Sequence, residues 1–278
     1  MQNAHQKILG GMLDWYIHEG VDEFILNEPQ NRMMPPKRHM QVQQSDSSLP
    51  PFPNEPVVEN NSSELIGAVE FKKQALEIAQ KVQSLDELRD AIAQFDGLDV
   101  KKTATNMVFA DGRTDARIML IGEAPGADED RQGVPFVGVS GLLLDKVLAC
   151  IGLGRHAADT ANAVYVSNIL NWRPPGNRTP TQQEMEISRA FIERHIDLKK
   201  PEFLIFCGGV AATTLLGSNE SISKLRGKVH EYVPQTLPDR TSIPAIATYH
   251  PSYLLKTPSQ KEKVWDDMLF LHKNLQQK

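Results

Sequence analysis

Residues 117–138 read RIMLIGEAPGADEDRQGVPFVG, and this stretch decides the fold class. Arg117 to Ile121 is a short apolar run that stops at Gly122, so it predicts a buried strand running into a turn. The turn carries Glu123, Pro125 and the acids Asp128, Glu129 and Asp130, more carboxylates than a chain reversal needs. Open α/β sheets place their ligands at the carboxyl ends of strands, so the run reads as the edge of a reaction centre.

The same logic extends in both directions. Further short apolar runs, Ala163 to Ser167, Phe203 to Cys207 and Ile243 to Thr248, are bounded by Gly, Pro or polar residues and predict strands. Helical patterns lie between them: Leu142 to Ile151, a helix capped by Thr181 and Glu184 and running to about Leu198, and Val210 to Leu216. Ahead of the first strand, Glu64 to Gln83 and Ser84 to Ala93 read as helices, the second opened by Ser84 with Glu87 three residues on. Pro258 opens a last helix with Val264, Met268, Leu271 and Leu275 on one face. Strands joined by helical crossovers predict a three-layer α/β/α sandwich with a central, mainly parallel four-stranded sheet.

The 278 residues divide unevenly. Residues 1–63 form an extension: a short amphipathic helix within 1–27, then a Pro-, Gln-, Ser- and Asn-rich linker from about Pro29 to Ser63. The helix is a candidate site for a protein partner, and residues 64–278 are expected to form the domain that carries the sheet and its functional edge. A hydrophobic content of 40% suffices for one normal core, and a monomer is expected. The formal charge of −5 means that any nucleic-acid binding needs a local basic face. Cys150 and Cys207 are the only cysteines, both in apolar stretches, and read as core residues of a protein in a reducing compartment. No run is long enough to span a bilayer and no secretory pattern opens the chain, so a cytoplasmic, nucleoid-associated protein is expected.

Unusual residues recur at every strand end: Gly122 and Glu123, then Asn168, then Gly208 and Gly209, then Tyr249, His250 and Pro251. Four carboxyl ends on one edge predict a cleft. In order, the chain carries GEAPGADED, PFVG at Pro135 to Gly138, YVSN at Tyr165 to Asn168, RPPGNRTP at Arg173 to Pro180, LRG at Leu225 to Gly227 and TYHPSYLL at Thr248 to Leu255. Together, over about Thr103 to Leu271, these resemble family 4 of the uracil-DNA glycosylases.

The resemblance implies a monofunctional glycosylase that flips uracil out of DNA, hydrolyses its N-glycosidic bond and leaves an abasic site in base excision repair. It implies Glu123 and His250 as catalytic residues, the first orienting water and facing the sugar cation, the second holding the departing base oxygen. Asn168 would read uracil through its amide, Phe136 would stack on the base, Gly122 would border the pocket and Glu129 would lie near the C5 edge of the base. DNA contact would come from Arg173, Asn177, Arg178 and Arg226, with Ser252, Tyr253 and Leu254 in a loop that wedges into the duplex.

Each residue also has a plainer role available, as a strand-end polar group, a helix cap, a core side chain or a solvated base. Two other functions compete: a catalytically weak lesion-binding module that tethers a repair or replication partner, and a nucleotide-binding protein whose GEAPG loop cradles phosphate. The joint presence of Glu123, Asn168 and His250 disfavours the first. The acidic run and the missing phosphate-loop lysine disfavour the second.

One departure is large. Family 4 enzymes typically hold a four-iron cluster with four cysteines, and the corresponding positions here are Phe95, Leu98, Trp172 and Ser188. None is cysteine, and Phe, Leu and Trp cannot ligate iron, so no cofactor is expected and apolar packing should stand in the cluster's place.

Overall fold

The computed structural model describes residues 62–236 and 241–276, all of which belong to the second of two units of the chain, Val58–Lys278. The candidate partner helix in 1–27 and nearly all of the linker lie outside the described residues.

At the centre is β2 (Ile118–Gly122), every residue of which is buried. It pairs in parallel with β3 (Val164–Asn168) on one side and β4 (Phe203–Cys207) on the other, and β4 pairs in parallel with β6 (Ile243–Thr248). Each apolar run forms its strand because alternate residues find hydrophobic cover on opposite faces. Met119 and Ile121 face one cluster with Ile192 and Ile196 of the helix α5 (Gln182–Lys199) and Leu215 of α6 (Gly209–Leu216). Ile118 and Leu120 face the other, with Leu144 and Leu148 of α4 (Val139–Ala149) and Val264, Met268 and Leu271 of α9 (Lys261–Leu275). The three layers follow from this two-sided burial.

Among the described residues the sheet has six strands rather than four: with β1 (Ala110–Asp111) and β5 (Val229–Tyr232) the order is β1-β3-β2-β4-β6-β5. The two added edges are antiparallel. Two residues are too few to show a period, and VHEY is mostly solvent-facing, so neither edge carries the continuous apolar signature of a central strand.

A third layer of helices backs the far side of α5. α1 (Ser62–Lys81) and α2 (Leu85–Gln94) pack on it through Ala75, Ala79, Leu88 and Ile92. The expected caps form: Ser84 Oγ accepts from Glu87 N–H at 3.1 Å, and Thr181 and Glu184 cap α5 reciprocally. Cys207 is buried as expected, but Cys150 is exposed, because it closes α4 at the surface.

Two expectations at the carboxyl end need correction. The segment after His250 is a helix of its own, α8 (Pro251–Lys256), and the last helix starts at Lys261 after a single turn at Pro258–Gln260. Leu254, expected in a DNA wedge, is 1% exposed and packs in the core cluster that contains Leu144, Val264 and Met268. It faces inward because α8 lies against α4, and the apolar side chains that α8 leaves exposed are Tyr253 and Leu255.

Candidate active site

The chain passes from β2 to β3 on one side and then crosses to β4 on the other, so the strand order reverses beside β2. That reversal splays the following loops apart and opens a crevice at the carboxyl edge. A pocket of about 430 Å³ lies there, lined by Glu123, Phe136, Asn168 and His250 together with Glu129, Asn177, Arg178 and Ser252.

The strand register sets the pocket floor. Gly122 pairs with Asn168, and the ladder continues as Ile169 and Leu170 donate to the carbonyls of Gly122 and Glu123, each at 3.0 Å. Gly122 is not itself on the wall but lies beneath it. A Cβ there would sit 2.7 Å from Phe136 Cζ and closer still to Asn168 Oδ1, so the bare backbone lets both side chains converge. Asn168 is 2% exposed, and the Phe136 ring lies 5.8 Å from the His250 ring at 29°.

His250 caps α8. Its Nδ1 accepts from Ser252 N–H at 3.2 Å and lies 2.8 Å from Ser252 Oγ. Because a backbone N–H can only donate, Nδ1 is an acceptor and the neutral ring carries its proton on Nε2. Burial pushes the imidazole down to about 4, so the ring is neutral at physiological pH. Glu123 is half-buried, and burial raises its carboxyl above the usual carboxylate range. An acid poised by its surroundings and a neutral ring N–H that line the same pocket are suited to stabilising charges of opposite sign.

The acidic run has three fates. Glu129 lies on the wall, but its oxygens are engaged by backbone: Oε1 accepts from Val137 and Gly138 N–H, each at 3.0 Å, and Oε2 from Gly126 N–H at 3.1 Å. Asp130 is buried and accepts from Thr105 and Asn106 N–H, and Asp128 pairs with Arg131 at the surface. These carboxylates chiefly hold the loop in shape.

The expected DNA-contacting bases differ from one another. Arg173 Nε donates to Asn177 Oδ1 at 2.7 Å, and Arg178 reaches the pocket while forming a bidentate pair with Glu184 at 2.6 and 2.8 Å. Arg226 stands apart from the pocket wall: its side chain is 15% exposed and pairs with the buried Asp267 at 2.9 Å. Asp267 in turn accepts from Thr248 Oγ1 at 2.8 Å, so Arg226 braces the end of β6.

Ser140, Pro174 and Val210 also line the pocket and were not singled out in the sequence. Ser140 lies two residues past PFVG, close enough that extending the motif along the new helix would have included it.

The positions corresponding to the family's iron ligands do not fit such a group. Phe95, Leu98 and Trp172 belong to one apolar cluster with Ile187 and Phe191, and Ser188 is 2% exposed beside them. Phe95 also meets Phe191 edge-on at 5.2 Å. Among the described residues no group of three or more His, Cys, Asp or Glu side chains could hold a metal, and no helix is long and apolar enough to cross a membrane.

Residues 109–269 match the family model of the uracil DNA glycosylase superfamily. The type-4 uracil-DNA glycosylase of Archaeoglobus fulgidus is 36% identical over 190 residues, covering 67% of this chain and 90% of that protein. The enzyme of the same name from Thermotoga maritima is 37% identical over 158 residues, 56% of this chain and 76% of its own. That from Pyrobaculum aerophilum is 30% identical over 188 residues, 66% and 91%. With the matched span covering every strand end of the pocket, the chain belongs to the uracil-DNA glycosylase superfamily and is a DNA glycosylase that hydrolyses N-glycosyl bonds.

Proposed function

We propose that this chain removes uracil from DNA by receiving the extruded nucleotide in the pocket, breaking its N-glycosidic bond and leaving an abasic site as the first step of base excision repair. The observation that carries the reading is the meeting of Glu123, Phe136, Asn168 and His250, from four separate segments, in the lining of one pocket.

As the bond breaks, the sugar gains positive charge and the base leaves with the electron pair. The Glu123 carboxylate faces the cation, orients the water whose oxygen bonds to the anomeric carbon and takes up the proton that this water loses. His250 donates its Nε2–H to the base oxygen on which negative charge collects, and its low pKa keeps it a neutral donor. Asn168 presents an acceptor and a donor side by side, the complement of uracil N3–H and O4. Phe136 supplies the face for stacking. Neither step calls for a nucleophilic side chain or a lysine Schiff base.

On the DNA side, Asn177 and Arg178 at the mouth serve the phosphates flanking the extruded nucleotide, with Arg173 holding Asn177 in place. Of the three residues expected in the wedge, Leu254 is in the core, and Tyr253, at the surface of α8 next to Ser252 on the wall, stands against the base stack. The fold works without an iron cluster, its helical layer being closed by Phe95, Leu98 and Trp172.

Incubating the purified protein with uracil-containing and matched thymine-containing oligonucleotides, then cleaving abasic sites with alkali, tests the activity. Scission confined to the uracil strand is expected, and equal or absent scission on both refutes it. Iron analysis of the same preparation is expected to give none; stoichiometric iron with activity that depends on it refutes the cofactor-free reading.

A further inference from the structure

Phe136 has φ +55°, a left-handed backbone conformation that side-chain-bearing residues rarely adopt, and it is the residue that walls the pocket beside His250. Such a conformation persists only where its surroundings impose it. The surroundings here are specific. Arg155, which lies outside every motif of the pocket, is buried on the other side of this turn. Its Nη1 donates to the Pro135 carbonyl at 3.0 Å and its Nη2 to the Phe136 carbonyl at 3.1 Å.

The guanidinium is itself fixed from two directions. Asp145 of α4 takes Nε at 2.8 Å and Nη2 at 2.5 Å, and Asp111 of β1 takes Nη1 at 3.0 Å. Glu129 holds the next two peptide N–H groups, those of Val137 and Gly138. The turn is therefore gripped by its carbonyls from one side and by its amides from the other. Gly141 completes the fit, since a Cβ there would overlap the Phe136 carbonyl and lie 2.8 Å from its Cα.

We infer that Arg155 is a positioning residue of the glycosylase: its guanidinium, anchored by Asp145 and Asp111, locks the Pro135–Phe136 turn so that the Phe136 ring is held against the extruded base. The inference rests on the reading of Phe136 as the base platform. A planar fork is required because two carbonyls and two carboxylates are engaged at once, which an ammonium cannot match in geometry. The short strand β1 gains a purpose from this, since it delivers Asp111 to the clamp.

A double-mutant cycle tests it, with excision of uracil from an oligonucleotide and inhibition by free uracil as readouts and thermal unfolding as control. Arg155→Lys is expected to lower kcat/KM on the order of tenfold and to weaken inhibition by free uracil in parallel, as a displaced contact surface does. In the Phe136→Ala background the same substitution is expected to cost less than about twofold, because its effect runs through the ring. Fully additive losses, or an unchanged Arg155→Lys enzyme alongside an impaired Phe136→Ala enzyme, overturn the inference while leaving the platform reading intact. An unimpaired Phe136→Ala enzyme overturns the platform reading and the inference with it. If Arg155→Lys does not fold, Asp145→Asn loosens the same guanidinium, and its coupling to Phe136→Ala is read in the same way.

Discussion

Replacing Gly122 with alanine adds one methyl group to the centre of the sheet edge, and the structure says what that methyl meets. It would lie 2.7 Å from Phe136 Cζ and closer to Asn168 Oδ1, whereas ordinary contact begins near 3.4 Å. Relief therefore requires the ring to withdraw by about 0.7 Å and the amide by more. Misplacement of about 1 Å at reacting groups costs roughly 10²-fold in rate, so single-turnover uracil excision by Gly122→Ala should fall by about that factor. Overpacking costs about 1–3 kcal/mol, which lowers Tm by roughly 3–10 °C in a domain of this size and leaves the protein folded at room temperature. Preference for uracil over competing bases should narrow as well, since the displaced amide is the group that reads the base. Gly67→Ala in α1 is the control: nothing lies within 4 Å of its Cβ, and excision should be unchanged. A folded Gly122→Ala protein that excises uracil at the wild-type rate refutes the assignment of Asn168 and Phe136 to the base.

Glu123→Gln should lower single-turnover excision by about 10²-fold or more with DNA affinity near wild type, because the lost interaction exists only in the transition state. Its folded-state pKa is raised, so the contribution of Glu123 to stability is fullest at acid pH and is lost as pH rises through that value; the substitution should raise Tm at neutral pH and leave it unchanged in acid, as melts across the range will show. The wild-type rate should fall on acidification through the Glu123 pKa while His250, at about 4, is still neutral, and this limb should vanish in Glu123→Gln. Arg178→Ala should weaken DNA binding and reduce its salt slope by about 1. Arg226→Ala should leave the salt slope unchanged and destabilise by about 3–5 kcal/mol, because it strands the buried Asp267 carboxylate; a reduced slope there returns Arg226 to the DNA face.

The central strands could be read from the sequence because burial on both faces leaves an unbroken apolar run, as in Ile118 to Ile121, and no tertiary information is needed to see it. Boundaries moved by a residue or so where the ladder continues into polar positions, as at Gly122 and Asn168. The pocket residues at strand ends were legible for a related reason: a parallel sheet brings its carboxyl ends together whatever the loops do. What could not be read was partnership. Arg226 and Arg178 look alike as surface bases, yet one finds Asp267 forty-one residues on and the other finds Glu184 in the next turn of chain. Arg155 sits in an unremarked loop, and its importance arises from Asp111, Pro135 and Asp145, which only the fold collects. Leu254 failed differently, since six residues of α8 are too few to reveal which of Tyr253, Leu254 and Leu255 faces inward.

The bond from Ser252 N–H to His250 Nδ1 makes one ring responsible for two unlike tasks, ending a helix and serving the chemistry. Position 250 therefore obeys two selections at once. An aspartate can cap α8 but only accepts, whereas imidazole accepts from the chain with one nitrogen and still offers a proton from the other. An alanine there removes both functions together, so its phenotype confounds a frayed helix with a missing donor. His250→Asp keeps the cap and deletes the donor, because an ionised carboxylate accepts from the Ser252 N–H and has no proton to offer. Acid acts on the same two tasks: a proton added to Nδ1 would set donor against donor at the Ser252 N–H and leave only Ser252 Oγ to accept from the ring, so the helix bearing Tyr253 would lose its backbone cap in the same event that makes the ring cationic.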